Sequence, residues 1–161
     1  MKYQLYTLTK VLLIISFLIT GCEKDEAGGT ATQNMAGEWW VQIKVGNSLV
    51  VPDYFKMLSY NTSANVANEM WLDDQEHIWP FKFKVSADQV AKTFIANNAK
   101  SLYSNITVTV LNGKVLSNAS KGPVSKAVTD SIYFEAAFSD DPGTIYKFTG
   151  YARTRFAEDD H

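Results

Sequence analysis

Glu38-Trp39-Trp40-Val41-Gln42-Ile43-Lys44-Val45 puts Trp39, Val41, Ile43 and Val45 on one face of an extended chain, with Gln42 and Lys44 on the other. That period of two is the signature of a half-buried strand, and it recurs along the chain. Tyr54 to Thr62 repeats it less regularly. Trp79-Pro80-Phe81-Lys82-Phe83-Lys84-Val85 sets three aromatics and a valine against Pro80, Lys82 and Lys84. Ser131 to Phe138 turns Ile132, Phe134, Ala136 and Phe138 one way, Asp140-Asp141-Pro142-Gly143 reads as a turn, and Ile145 to Phe156 supplies a last strand.

Between these lies Ile106-Thr107-Val108-Thr109-Val110-Leu111, then Asn112-Gly113, then Lys114-Val115-Leu116. Asn-Gly between apolar runs predicts a hairpin, because both central residues of a type I′ turn need positive φ. Ser86 to Leu102 opens with a Ser-x-x-Gln capping box and fits either a short helix or a turn followed by a strand at Thr93 to Asn97; the strand is the reading adopted. The expected fold is therefore all-β, an antiparallel meander of about eight strands. Closure into a barrel removes the exposed edges and can enclose one small ligand. A two-sheet sandwich has the same local pattern.

The N-terminus follows a different logic. Lys2 and Lys10 precede an apolar run from Val11 to Ile19, the layout of a secretory signal and short of the roughly 20 apolar residues that span a bilayer. Thr20-Gly21-Cys22 resembles a bacterial lipobox, in which cleavage precedes the cysteine and the cysteine is acylated. Several acyl chains, each contributing about 0.8 kcal/mol per buried CH₂, make a durable anchor. Cys22 is the only cysteine, so its acylation would leave no thiol for disulfides, thiolate catalysis or metal binding. Glu23-Lys24-Asp25-Glu26 resembles the acidic signal that sends Bacteroidetes lipoproteins to the outer face of the outer membrane. The division expected is a signal peptide at 1–21, an acidic and Gly/Thr-rich tether at 22–35, and one β-barrel domain at 36–161.

Removing residues 1–21 takes away Lys2 and Lys10 and leaves 13 basic against 17 acidic side chains, a net charge of −4. A mildly acidic surface without a basic run argues against nucleic-acid binding and against electrostatic docking on anionic lipid. About 140 residues suffice for one domain with a sizeable core.

Ala36-Gly37-Glu38-Trp39-Trp40 carries a more specific signal. Gly-x-Trp on a first strand resembles the signature of lipocalins and the wider calycin group, in which the tryptophan plugs one barrel end and an arginine of the last strand packs across it. The resemblance assigns barrel-closing roles to Gly37, Trp39 and Arg153, with Arg155 the alternative arginine. Together with Tyr60 to Asn65, Trp71 to Asp74, Phe81 to Val85, Asn112 to Leu116 and Asp130 to Phe134, the chain resembles a Bacteroidetes family of calycin-like lipoproteins described as lipid-binding and as hydrolases by proposal. The resemblance implies a β-barrel and carries over no catalytic motif.

Trp71, Trp79, Phe81, Phe83, Tyr133 and Phe134 are the candidate lining of an apolar cup, since ligand pockets are largely aromatic with few polar groups; the same side chains also serve to fill a small barrel. For hydrolysis, His77 is the internal histidine and Asp73 or Asp74 its neighbours, but a serine hydrolase needs a presented nucleophile and no G-x-S-x-G is present. Asp73, Asp74, Glu76 and His77 as metal ligands would all have to converge from one loop without a second histidine to complete the set. No two carboxylates stand out as a glycosidase pair. No metal and no cofactor is expected.

The expected function is a surface lipoprotein of the outer membrane that binds a small hydrophobic or amphipathic ligand in its barrel. A glycan-binding or adhesive accessory protein, partnered by neighbouring glycan-uptake proteins, is the rival that analogy offers, and a weak esterase on a lipid-like substrate is the third. Asp130-Ser131-Ile132 fits a Bacteroidetes O-glycosylation pattern at Ser131. Glu158 to His161 reads as a frayed acidic tail.

Overall fold

The structure, a computed structural model, describes residues 29–161; Cys22, the signal segment and the acidic stretch after it lie outside the described residues. Nine strands follow in order: β1 (Gly37–Val45), β2 (Ser48–Leu49), β3 (Phe55–Asn61), β4 (Glu69–Asp73), β5 (Lys82–Asp88), β6 (Thr93–Lys100), β7 (Thr107–Lys121), β8 (Val128–Phe138) and β9 (Tyr146–Ala152). All are paired antiparallel, each long strand with the next, and β1 closes on β9 from Trp39↔Ala152 to Val45↔Tyr146. The β1–β9 ladder makes an eight-stranded closed barrel and not the two-sheet sandwich that shares its local pattern, with β2 as an extra strand. β1 pairs with β3 only as far as Val41↔Phe55, and β2 takes the edge that β3 leaves, at Lys44 and Val45.

The inward residues are those of the sequence pattern except Val45, which is exposed at the end of β1. Trp39, Val41, Ile43, Ile132, Phe134, Ala136 and Phe138 are buried, as are Met57, Met70, Leu72, Phe81, Phe83, Val85, Phe94 and Phe148 from the rest of the wall. β6 is a strand, reached through a turn in which Asp88 Oδ1 accepts from the amides of Val90 and Ala91, so the helical alternative for this segment fails.

Asn112-Gly113 is not a hairpin. β7 runs straight through it, and Leu111↔Glu135 followed by Lys114↔Tyr133 leaves one extra residue on β7, a bulge. A type I′ turn needs two positive φ values, but only Asn112 (φ 55°) has one. A Cβ at Gly113 would sit 2.3 Å from the Phe94 carbonyl oxygen and 2.5 Å from the Phe94 ring. Gly113 thus serves close approach of β6, and the bulge bends a 15-residue strand around the barrel. A second bulge at Asn118 (φ 55°) is held by Asp130, whose side chain accepts the Asn118 amide at 2.8 Å.

Three boundaries also differ from the sequence reading. β5 starts at Lys82, leaving Trp79 to Phe81 in a loop. β9 stops at Ala152, and Arg155 (φ 67°) turns the chain back along the barrel. Residues 30–35, expected as tether, form a turn packed on the barrel, with Thr32 and Met35 buried.

Candidate functional site

The start of β1 and the β3–β4, β5–β6 and β7–β8 connections form one barrel end, where the described chain enters. The β4–β5, β6–β7 and β8–β9 connections form the other. The first end is closed by Trp39, 2% exposed, whose Nε1 donates to Ser59 Oγ at 2.8 Å while that hydroxyl donates to the Met35 carbonyl at 2.6 Å. The indole lies over Gly37, 3.3 Å from where a Cβ would stand.

Arg153 corrects the expectation that it packs across Trp39. Its amide bonds the Glu38 carbonyl at 2.8 Å, which sets it opposite Glu38 and on the Trp40 side of β1. The guanidinium donates to Glu38 at 3.0 Å and to both oxygens of Asp160, which also accepts from Trp40 Nε1 at 3.3 Å. Arg153 still ties β9 to β1, from the outer face.

Inside, the rings form one connected column. Phe94 meets Phe134 at 5.8 Å, Phe134 stacks on Phe148 at 4.4 Å, Phe148 meets Phe81 at 6.0 Å, and Phe81 meets Phe83 at 5.2 Å and Phe138 at 6.1 Å. Trp79 ends the column, its indole parallel to Phe138 at 4.5 Å and edge-on to Tyr146 at 4.9 Å. These are favourable offset and edge geometries. Of the six candidate lining residues, Phe81, Phe83 and Phe134 are therefore core and Trp79 caps them.

Trp71 and Tyr133 stand on the outer face, because alternation commits Met70 and Leu72, and Ile132 and Phe134, inward. Lys82 and Lys84 lie 5.6 and 5.4 Å from the Trp71 ring, and Lys114 lies 5.3 Å from that of Tyr133. Cation–π pairing with the protein's own lysines thus engages the rings that a glycan would stack on.

The loop carrying Trp79 is wound around Asp74. This carboxylate, 0% exposed, accepts from the amides of Glu76 (2.9 Å) and Phe81 (3.0 Å) on Oδ1 and of Trp79 (2.8 Å) and Ile78 (3.2 Å) on Oδ2. The chain curls around the carboxylate through Gln75 and Glu76, both at positive φ (53° and 62°), instead of extending as a strand. Burial pushes the Asp74 carboxyl up from its usual range, against the opposing pull of the four amides. The Trp79 backbone is consequently a fixed post. Its side chain is held by stacking and by Nε1 donating to Asp140 at 3.0 Å.

Asp73 points the other way. It accepts from Tyr60 (2.6 Å) and Tyr103 (3.0 Å) hydroxyls and the Gln75 amide (2.9 Å), and pairs with Lys82 at 3.4 Å. Burial works to raise its carboxyl, yet these donors hold it below the usual value. His77 Nδ1 lies 3.4 Å from the Lys56 carbonyl oxygen on the outer flank. Asp73, Asp74 and His77 thus diverge from one loop, each committed to separate partners, and make neither a metal set nor a base–orienter pair.

The C-terminal segment is the feature that sequence reading missed. Asp159, 1% exposed, accepts from the Val124 and Ser125 amides at 2.9 Å and from the Ser125 and Thr154 hydroxyls. His161 stacks on Tyr54 at 4.3 Å, meets Trp40 edge-on at 5.4 Å and bonds the Tyr151 hydroxyl at 2.6 Å. The tail is docked, not frayed, and no local motif announces partners 34 residues away. It brings both histidines of the chain to one outer cleft of about 360 Å³, lined by Trp40, Tyr54, Phe55, Lys56, His77 and His161.

No curated protein matches the chain. Among solved structures, a structural-genomics crystal structure of unknown function from Bacteroides ovatus, at 2.40 Å resolution, is similar at 16% identity with a TM-score of 0.48. The likeness covers 74% of this chain and 42% of that one, so this chain spans less than half of its length. Residues 24–157 match the family model described as "Lipid-binding putative hydrolase". With that match running through the whole barrel, from Gly37 to Ala152, the chain belongs to this lipid-binding family.

Proposed function

We propose that this protein is a lipid-anchored outer-membrane carrier that takes up one small hydrophobic or amphipathic molecule at the Trp79 end of its barrel and releases it unchanged. The observation that carries the reading is the aromatic column, which ends in a partly exposed indole mounted on a rigid loop. Rotation of the Trp79 side chain away from Phe138 and its Asp140 partner would open the column to an acyl chain without unfolding the loop. Membership in a lipid-binding family supports a hydrophobic ligand. An anchor at Cys22 would tether the closed end, where the described chain enters, and leave the Trp79 end facing away from the membrane that holds it. The diverging partners of Asp73, Asp74 and His77 favour binding over hydrolysis.

The test uses the chain from Glu23 onward, stripped of lipid by denaturation and refolding, then exposed to a bacterial lipid extract and weighed by native mass spectrometry. One ligand of unaltered mass per chain, with a shift in tryptophan emission that Trp79→Leu abolishes, is the expected result. A folded chain that stays bare refutes it.

A further inference from the structure

We infer that the cleft between Trp40, Tyr54, Lys56, His77 and His161 is the seat of an anionic head group, so that the ligand of the Trp79 end is a single-chain amphiphile ending in a carboxylate or phosphate. The inference rests on the barrel-binding reading above and adds the chemical class of its ligand.

One loop connects the two places. Trp79 lies over Phe138 and Tyr146 at the end of the column, while His77, two residues earlier, rests on the Lys56 carbonyl at the outer flank. The cleft and the cap of the column thus share one loop, with His77 at the first and Trp79 at the second. At about 360 Å³ the cleft is near the lower limit of small-molecule sites. It suits a head group and its first methylenes, and a long chain has to extend beyond it.

The lining selects the charge of that head. At this flank the carboxylates of Glu38 and Asp160 are both held by Arg153, Glu38 at 3.0 Å. Lys56 reaches Glu38 only at 3.8 Å, its one ion pair among the described residues, so its ammonium is the least satisfied cation here. The His77 ring has, among the described residues, only its long Nδ1 hydrogen-bond contact of 3.4 Å. Lys56 and His77 thus present only weakly engaged donors, both contacts being long, beside the rings of Trp40, Tyr54 and Phe55, which suit methylenes. An oxyanion answers the donors through charge-assisted hydrogen bonds; a neutral hydroxyl does so weakly.

The experiment titrates dodecanoate, dodecyl phosphate and dodecanol, which share a chain length and differ in head, into the chain from Glu23 onward and into its Lys56→Gln and His77→Gln variants. Inorganic phosphate is a separate arm. Dodecanoate or dodecyl phosphate is expected to bind about tenfold more tightly than dodecanol, the effect of one charge-assisted bond. Lys56→Gln should remove that advantage while leaving dodecanol unchanged, and the His77 and His161 ring proton resonances should move with the anions alone. The order of the two anions separates carboxylate from phosphate. Inorganic phosphate at the same concentration should neither move the resonances nor displace dodecanoate; if it does both, the cleft is a free-phosphate site and the amphiphile inference is overturned. Equal binding of all three amphiphiles, unaffected by Lys56→Gln, overturns the head-group site and leaves the barrel reading standing. Failure of all three to bind overturns both.

Discussion

Asp74→Asn changes one atom of a buried side chain, and the geometry sets what it costs. Each carboxylate oxygen accepts two amides, Glu76 and Phe81 on one and Ile78 and Trp79 on the other, at 2.8 to 3.2 Å. An asparagine keeps one acceptor oxygen and turns the other into an NH₂ that faces two N–H donors. Two hydrogen bonds to a charged acceptor are lost, worth about 1.5–3 kcal/mol each, and two donors are left buried. Part of this is returned, because burial already penalises the charged form of Asp74 and the amide has no such charge to desolvate. The net loss expected is about 3 kcal/mol, or roughly 10 °C in Tm for a domain of this size. Thermal unfolding followed by circular dichroism checks the magnitude. Tryptophan emission, which should shift to the red as the Trp79 post loosens, checks the place. Asp73→Asn is the control, with a smaller loss because its partners include exposed Tyr103 and half-buried Lys82. An Asp74→Asn protein as stable as the parent, with unchanged emission, would refute the view that the carboxylate organises the loop.

At the closure seam, Gly150→Ala would place a Cβ 2.3 Å from the Trp40 carbonyl oxygen and 2.7 Å from Val41 Cγ1; since β1 cannot retreat without opening the barrel, denaturant unfolding should show a loss of about 2–3 kcal/mol, and an undisturbed protein would mean a looser seam. Tyr133, beside Glu135, Tyr146, beside Asp141, and Tyr151, by burial, are each pushed up to about 12. Raised folded values favour the protonated native state, so this stability is complete below about pH 10 and drains away toward pH 12; spectrophotometric titration should leave these three phenols protonated at pH 11, and uniform titration near 10 would defeat the assignment. Burial opposes ionisation of Asp159, but the Ser125 and Thr154 hydroxyls and two amides outweigh it and hold the carboxyl well below its usual range. That contribution is present above about pH 4 and lost as the pH falls, so acid should release the tail from Trp40 and Tyr54 before the barrel unfolds, and Asp159→Asn should do so at neutral pH; ring resonances of His161 report either event, and their indifference to both would sink the docking role.

The wall of the barrel is legible because alternation is a local property that a strand cannot hide. Val41, Phe83 and Phe134 face inward in the structure for the same reason that they stand out in the sequence. Bulge and turn are not distinguishable in that way. Asn112-Gly113 carries the same local signal in both, and what decides between them is the Phe94 ring on another strand, whose approach only a glycine tolerates. Arg153 shows the same limit, since its strand position could be read but its face depends on the Arg153–Glu38 register. The Asp74 loop lies between these cases, because all four amides belong to the next seven residues and Asp73-Asp74-Gln75-Glu76 carries the local signal of an Asx-type turn.

The outer position of Trp71 follows from the charges on the neighbouring strand. Phe81-Lys82-Phe83-Lys84-Val85 can bury only one of its faces, and two lysines cannot be the buried one. β4 then has to match it, with Met70 opposite Val85 and Leu72 opposite Phe83, which leaves Trp71 opposite Lys84 on the solvent side. The hydrophobicity of an isolated tryptophan is overruled by the pairing of its neighbours. Trp79 escapes the same constraint because it precedes the strand, outside any ladder. Freed from pairing, it closes the end of the column by stacking on Phe138, and a ring held by stacking and one hydrogen bond can give way to an acyl chain where a ring fixed in the wall cannot.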